Sequence, residues 1–222
     1  MLEFLPFDPW KAVQFSQVLL RGAIMTVQIT AGALVIAIVL GLMMAVIKTS
    51  RVRVVRFLVD AYIEIFRGIP ALTLLFILYF GLAYSGLQIK SVPAAILGLG
   101  LVGCATLTEV FRSGFEALHH GQREAALAVG MTPIMAMRNI ILPQAVRITL
   151  PPIGNYAIGL LKDTAIVSAI AAPEIMFYAR NLVTSTFDTT TIYVLAAILY
   201  FCLSFPLARI VSRLEERRRS WQ

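Results

Sequence analysis

Charged side chains are costly inside an apolar chain, and this sequence places several among residues that are otherwise nearly all hydrophobic. Glu64 and Arg67 stand three residues apart, as do Glu109 and Arg112, so each pair shares one helical face and can form an ion pair. Lys162 and Asp163 are adjacent. On a helix they point about 100° apart and cannot both meet one partner. Two kinds of chemistry are open to Glu64, Arg67, Glu109, Lys162 and Asp163. They can pair to hold a helix bundle together, or they can line a polar route and meet a dissolved solute.

Bond-making chemistry finds no convergent set of residues. The only histidines, His119 and His120, lie side by side, the serines are scattered, and no Ser-His-acid arrangement can be assembled. Glu116 and Glu124 are the only acids near that pair, so no metal site is expected. Cys104 and Cys202 both fall in apolar runs and read as small core side chains rather than a disulfide or a metal-ligand pair. No Gly-rich phosphate loop followed by Lys-Ser or Lys-Thr occurs, so this chain itself is not expected to bind ATP or any other cofactor.

The elements that must position these charges follow from composition. The 222 residues are 59% hydrophobic and only 14% charged, with a mean hydropathy of +0.84. Soluble domains carry about 25% charge. Ala23 to Ile47 is 25 residues without a charge, Gly68 to Ile89 is 22, Ser91 to Thr108 is 18 and Thr189 to Ala208 is 20. A membrane-crossing helix needs about 20 such residues. Ile148 to Pro173 is interrupted by Lys162 and Asp163; counted as a span it makes five, and otherwise four remain. We take five, so the fold class expected is all-α: a single polytopic membrane domain over residues 1–222, with spans near 20–47, 58–84, 92–114, 148–172 and 189–211. Pro151, Pro152 and Gly154 lie near the start of the fourth span, where a helix tolerates them best. Pro70, after Arg67 and Gly68, is expected to kink the second or restart it. In the third, Gly98, Gly100, Gly103 and Ala105 permit close helix approach, within the chain or at a subunit interface.

Basic residues gather on one side of these spans. Lys48, Arg51, Arg53 and Arg56 follow the first, Arg123 and Arg138 lie in the loop after the third, and Arg209, Arg213, Arg217, Arg218 and Arg219 form the tail. The positive-inside rule then puts the N-terminus outside and the C-terminus in the cytoplasm. The N-terminus itself, MLEFLPFDPWK, has no basic n-region and does not read as a signal peptide. The net charge of +7 is explained by basic residues hemming a bilayer, with lipid headgroups as contacts and no nucleic acid.

One segment, 117–143, is neither apolar nor featureless. Gln122 to Val129 is rich in helix formers, Gly130 ends the run at a position favouring a left-handed residue, and Thr132-Pro133 reads as an N-cap with proline at the first helical position. Pro143 is expected to stop or kink the second helix. The result is a helix, a tight turn and a second short helix. Its apolar residues Ala125, Leu127, Ala128, Met131 and Met135 are too many for a loop bounded by water, so something packs on them, inside the chain or outside it.

Glu124-Ala125-Ala126, Gly130, Ile140, Leu142 and Pro143 match EAA-x3-G-x9-I-x-LP, and the chain here resembles the integral membrane subunits of bacterial ABC importers. Phe66-Arg67-Gly68-Ile69-Pro70, Glu109-Val110-Phe111-Arg112-Ser113-Gly114, Gly121-Gln122 and Leu161-Lys162-Asp163-Thr164 resemble the polar amino acid (histidine/glutamine/arginine-type) branch, from about residue 20 to 213. Two stretches depart from that pattern. Cys104-Ala105-Thr106-Leu107 stands for the usual Ala-Tyr pattern, and Thr164-Ala165-Ile166 for Thr-Ser-Leu; both bear on the identity of the solute, not on coupling.

The resemblance implies a type I importer-like fold and a bacterial inner-membrane location. It also implies a coupling helix seated on an ATP-binding subunit, with Gln122, Glu124, Ala125, Ala126 and Gly130 in that contact. Expected partners are two ATP-binding subunits holding ATP and Mg, a second permease subunit (the same chain or a homologue), an external solute-binding protein and a polar amino acid substrate. The chain would be a non-catalytic permease. The alternative, an ion-gradient-driven carrier or a channel without an ATPase, would usually be larger and show an internal repeat, which this sequence lacks.

Overall fold

The computed structural model describes residues 9–50, 52–117 and 120–219. Every regular element among them is helical: α1 (Pro9–Lys48), α2 (Arg53–Gly68), α3 (Ala71–Phe76), α4 (Leu82–Tyr84), α5 (Ser91–Glu116), α6 (His120–Ala128), α7 (Pro133–Ala136), α8 (Leu142–Asp163), α9 (Ile175–Thr186) and α10 (Thr189–Arg219). Wide π-turns join α3 to α4 over Ile77–Gly81 and α7 to α8 over Met137–Ile141, and a 3-10 segment, Thr164–Ile170, continues α8. Arg51 and His119, singled out above, lie outside the described residues.

The core forms around α1 and α5. Ile36 lies against Gly100, Ala37 against Gly103 and Gly41 against Leu107, so residue numbers rise together and the two helices run parallel. At Gly103 even a methyl group would sit 2.5 Å from the Tyr156 hydroxyl and 2.7 Å from the Ala37 Cβ, so glycine is what permits this approach. Gly98, Gly100, Gly103 and Ala105 are all buried among the chain's own helices. The packing reading of that stripe therefore holds, and an interface with another subunit there does not. α8 and α10 run antiparallel, since Gly154 meets Val211 whereas Lys162, further along α8, shares a cleft with Tyr193 and Tyr200 near the start of α10.

Among the described residues, three helical stretches are long and apolar enough to cross a membrane: Lys11–Lys48, Ser91–Glu116 and Thr189–Glu216. Arg53–Gly68 and Ala71–Tyr84 pass that test only as a pair and are bent by 101°, so the second expected span is not a straight rod. The break falls where expected: Pro70 is extended at φ −56, ψ 135 and starts α3. Residues 148–172 differ more. The α-helix ends at Asp163, tightens into the 3-10 segment, and stops at Ala171 in the left-handed region, φ 56. Pro151 and Pro152 sit in the interior of α8 rather than near its start, because the helix begins earlier, at Leu142. Pro143 does not stop the second helix of the loop. The π-turn widens the backbone just before it, and the helical path continues into α8. Cys104 is buried as expected, but Cys202 is exposed on α10; both are free thiols.

Candidate functional site

The hairpin after α5 is built by local capping. At the end of α6, Gly130 adopts φ +85, its N–H bonds the Leu127 carbonyl at 3.0 Å, and the Met131 N–H bonds the Ala126 carbonyl at 3.1 Å. This is the paired hydrogen-bond pattern that closes a helix on a left-handed residue. Two residues later the Thr132 hydroxyl accepts from the Met135 N–H at 3.3 Å, with Pro133 opening α7. Ala126 and Ala136 are buried, whereas Gln122, Glu124, Ala125, Leu127 and Ala128 are exposed. Val129 is 74% and Ile134 79% exposed, and Met135 also faces outward. The chain itself therefore covers the hairpin at Ala126 and Ala136. Among the described residues the apolar tip is left largely uncovered, with Val129 and Ile134 the most exposed of its side chains.

The charged residues fall into separate places. Glu109 on α5 accepts from Arg112 Nε at 2.8 Å, the ion pair expected from their spacing. It also accepts from Lys48 Nζ, at the end of α1, at 2.7 Å, and the same ammonium reaches Asp60 Oδ1 of α2 at 2.8 Å. Arg112 further pairs with Glu116. A cleft of about 480 Å³ opens here, lined by Lys48, Thr49, Arg56, Asp60, Arg112 and Glu116. Sequence reading missed Lys48, Asp60 and Glu116 as members of this cluster.

Glu64 and Arg67 do share a face of α2, but both are exposed and no ion pair joins them. An exposed pair gains too little to fix two long side chains together. Lys162 and Asp163, at the far end of α8, are exposed too. Lys162 borders a second cleft of about 450 Å³ with Ala165, Met176, Tyr193 and Tyr200. The five expected pathway residues therefore do not converge on one point within a single chain.

A further polar centre lies where α1, α9 and α10 meet. Glu174 is fully buried. It caps α9 by accepting from the Phe177 N–H at 2.7 Å and takes a second bond from the Tyr200 hydroxyl at 2.5 Å. The neighbouring Ile175 N–H donates to the Thr26 hydroxyl of α1 at 3.4 Å, so α1, α9 and α10 meet at one point. Burial pushes the Glu174 carboxyl above the usual carboxylate range, against the opposing pull of its Tyr200, Met176 and Phe177 partners.

Known proteins bear on this geometry. The family described as binding-protein-dependent transport system inner membrane component matches residues 37–220. The "Probable amino-acid ABC transporter permease protein YckA" of Bacillus subtilis (strain 168) is 33% identical over 211 residues, 95% of this chain and 93% of that one. The "Probable glutamine ABC transporter permease protein GlnM" of the same organism is 36% identical over 185 residues, 83% and 86% of the two chains. A solved "amino acid ABC transporter with histidines" is similar at a TM-score of 0.89 and 33% identity, over 96% of this chain and 100% of that one.

Proposed function

The chain belongs to the family of binding-protein-dependent transport system inner membrane components, and from that premise we propose that it is the permease subunit of an ATP-driven importer of polar amino acids. In this reading α8 and its 3-10 extension make a fifth crossing, with the N-terminus outside and the C-terminus in the cytoplasm of a bacterial inner membrane. Two ATP-binding subunits carry ATP and Mg, a second permease subunit completes the pathway, and an external binding protein delivers the solute. This chain performs no bond chemistry; it offers a two-state element that ATP binding biases.

The observation that carries the proposal is the capped hairpin with its uncovered apolar tip. Leu127, Val129, Ile134 and Met135 stand exposed around a turn fixed by Gly130 and Thr132. A soluble partner seated there would cover them, with Gln122, Glu124 and Ala125 in the contact and Ala126 beneath. The substrate class rests on the similar proteins, whose names include glutamine, arginine and L-cystine transport. Glu64, Arg67, Glu109, Lys162 and Asp163 are proposed to line the route for a solute bearing both charges.

The test is purification of the tagged chain from its native membrane, with and without Glu124→Ala and Gly130→Val together. The expected result is co-purification of a P-loop ATPase with the unaltered chain, and loss of that ATPase and of ATP-dependent uptake in the double variant. Both variant and parent should insert equally. Unchanged uptake by the double variant, or solute flux by the chain alone without ATP, would overturn the proposal.

A further inference from the structure

We propose that the ion pairs Glu116–Arg112–Glu109–Lys48–Asp60 form a continuous link that carries movement of the α6–α7 hairpin into α1 and α2, with Lys48 as the positioning residue at its centre. The inference deepens the permease reading and rests on it. α5 ends at Glu116 and α6 begins at His120, so a displacement of the hairpin reaches this end of α5 as well as α8, into which the hairpin's other end continues. From there each step of the link is a direct contact: Glu116 to Arg112, Arg112 to Glu109 at 2.8 Å, Glu109 to Lys48 at 2.7 Å and Lys48 to Asp60 at 2.8 Å. Three helices, α1, α2 and α5, are joined by five side chains.

Lys48 is what makes the link continuous. Its ammonium has three donors and no acceptor, so it can hold one carboxylate on α2 and another on α5 at once. It is also the most sheltered of the five, with its side chain 19% exposed against 47% for Asp60 and 65% for Glu116. Ion pairs keep more of their strength where water is partly excluded. On the far side, Asp60 belongs to the charged stripe of α2. Arg53, Arg56, Asp60, Glu64 and Arg67 recur at helical spacing on one side of that helix, beside the buried Val59 and Ile63. The stripe ends at the 101° bend. The link therefore joins the hairpin to the one described helix that carries a row of charges toward a break in a span.

The experiment uses the whole complex in liposomes, measuring uptake of radiolabelled glutamine, arginine and histidine against ATP hydrolysed. Lys48→Met keeps the length of the side chain and removes its charge. The expected result is an assembled complex whose ATP hydrolysis persists while solute moved per ATP falls about fivefold or more, and Lys48→Arg restores most of the ratio. Lys48→Met combined with Asp60→Asn should lose no more than Lys48→Met alone, because both break the same link.

An unchanged ratio in Lys48→Met, or additive losses in the double variant, would overturn the link while leaving the permease reading intact. If Lys48→Met does not assemble, Glu116→Gln, at an exposed site, decides instead: a lowered ratio supports the link and an unchanged one overturns it. Absence of ATP-driven uptake of all three amino acids by the unaltered complex would overturn the permease reading and the link with it.

Discussion

At Glu174 a carboxyl is enclosed completely, and although both of its oxygens have partners, those hydrogen bonds offset only part of the cost of desolvation. Removing it with Glu174→Ala takes the acceptor from the Phe177 N–H and the carboxylate from the Tyr200 hydroxyl, and should destabilise the chain by about 1–3 kcal/mol, read as a lower unfolding temperature in detergent. Glu174→Gln keeps an acceptor for the amide and a donor for the phenol oxygen, and should cost less. The two should also differ with pH. A carboxyl whose folded pKa is raised stabilises the fold fully below its unfolded pKa and loses that contribution as pH climbs through the folded value. Glu174→Gln cannot ionise, so its unfolding temperature should gain on the parent's as pH climbs above the ordinary carboxylate range; a constant gap would refute this. Nothing local to Pro173-Glu174 announces this role, since the phenol that holds it is 26 residues away. The same limit explains the charge cluster. Glu109–Arg112 was legible because both partners share one helix, whereas Lys48 lies 61 residues from Glu109 and only packing brings it there.

Among the elements, the hairpin was read almost completely from sequence because caps are short-range chemistry. Gly130, Thr132 and Pro133 each act within a few residues of themselves. That makes the hairpin testable alone. Thr132→Ala should loosen it by about 1 kcal/mol, and Gly130→Val by about 1–2 kcal/mol, since a β-branched side chain strains a residue held at φ +85. Amide hydrogen exchange over residues 122–136 is the measurement, and Gly130→Asn should exchange more slowly than Gly130→Val. Pro70 was legible for the same local reason. Of the two outcomes expected at Pro143, a stop or a kink, the stop does not occur, because a proline can be absorbed by widening the turn before it as well as by ending a helix. The stretch 148–172 was misread as one helix because hydropathy counts residues and does not register a tightening at Thr164 or a left-handed stop at Ala171.

For the whole molecule, the proposed orientation predicts which end meets which compartment. With Cys104 and Cys202 replaced by serine, a cysteine at Ser185 on α9 should react with a membrane-impermeant maleimide in intact cells. One at Glu216 should react only after permeabilisation, and the reverse pattern would invert the topology. The all-helical architecture and its apolar runs were plain in the composition, but which helices pair was not, because apolar stripes on several helices are interchangeable until they are packed. The parallel contact of α1 with α5 has its own consequence for synthesis. α1 is complete at Lys48, but the helix that fills its Ala33, Ala37 and Gly41 stripe is not finished until Glu116. At about 5–20 residues per second, the nascent first helix must wait several seconds in the membrane with its tightest seam unfilled. Its fate in that interval depends on the insertion machinery and on the ribosome's pace, so slowed translation between these two helices should leave more of the chain to proteolysis.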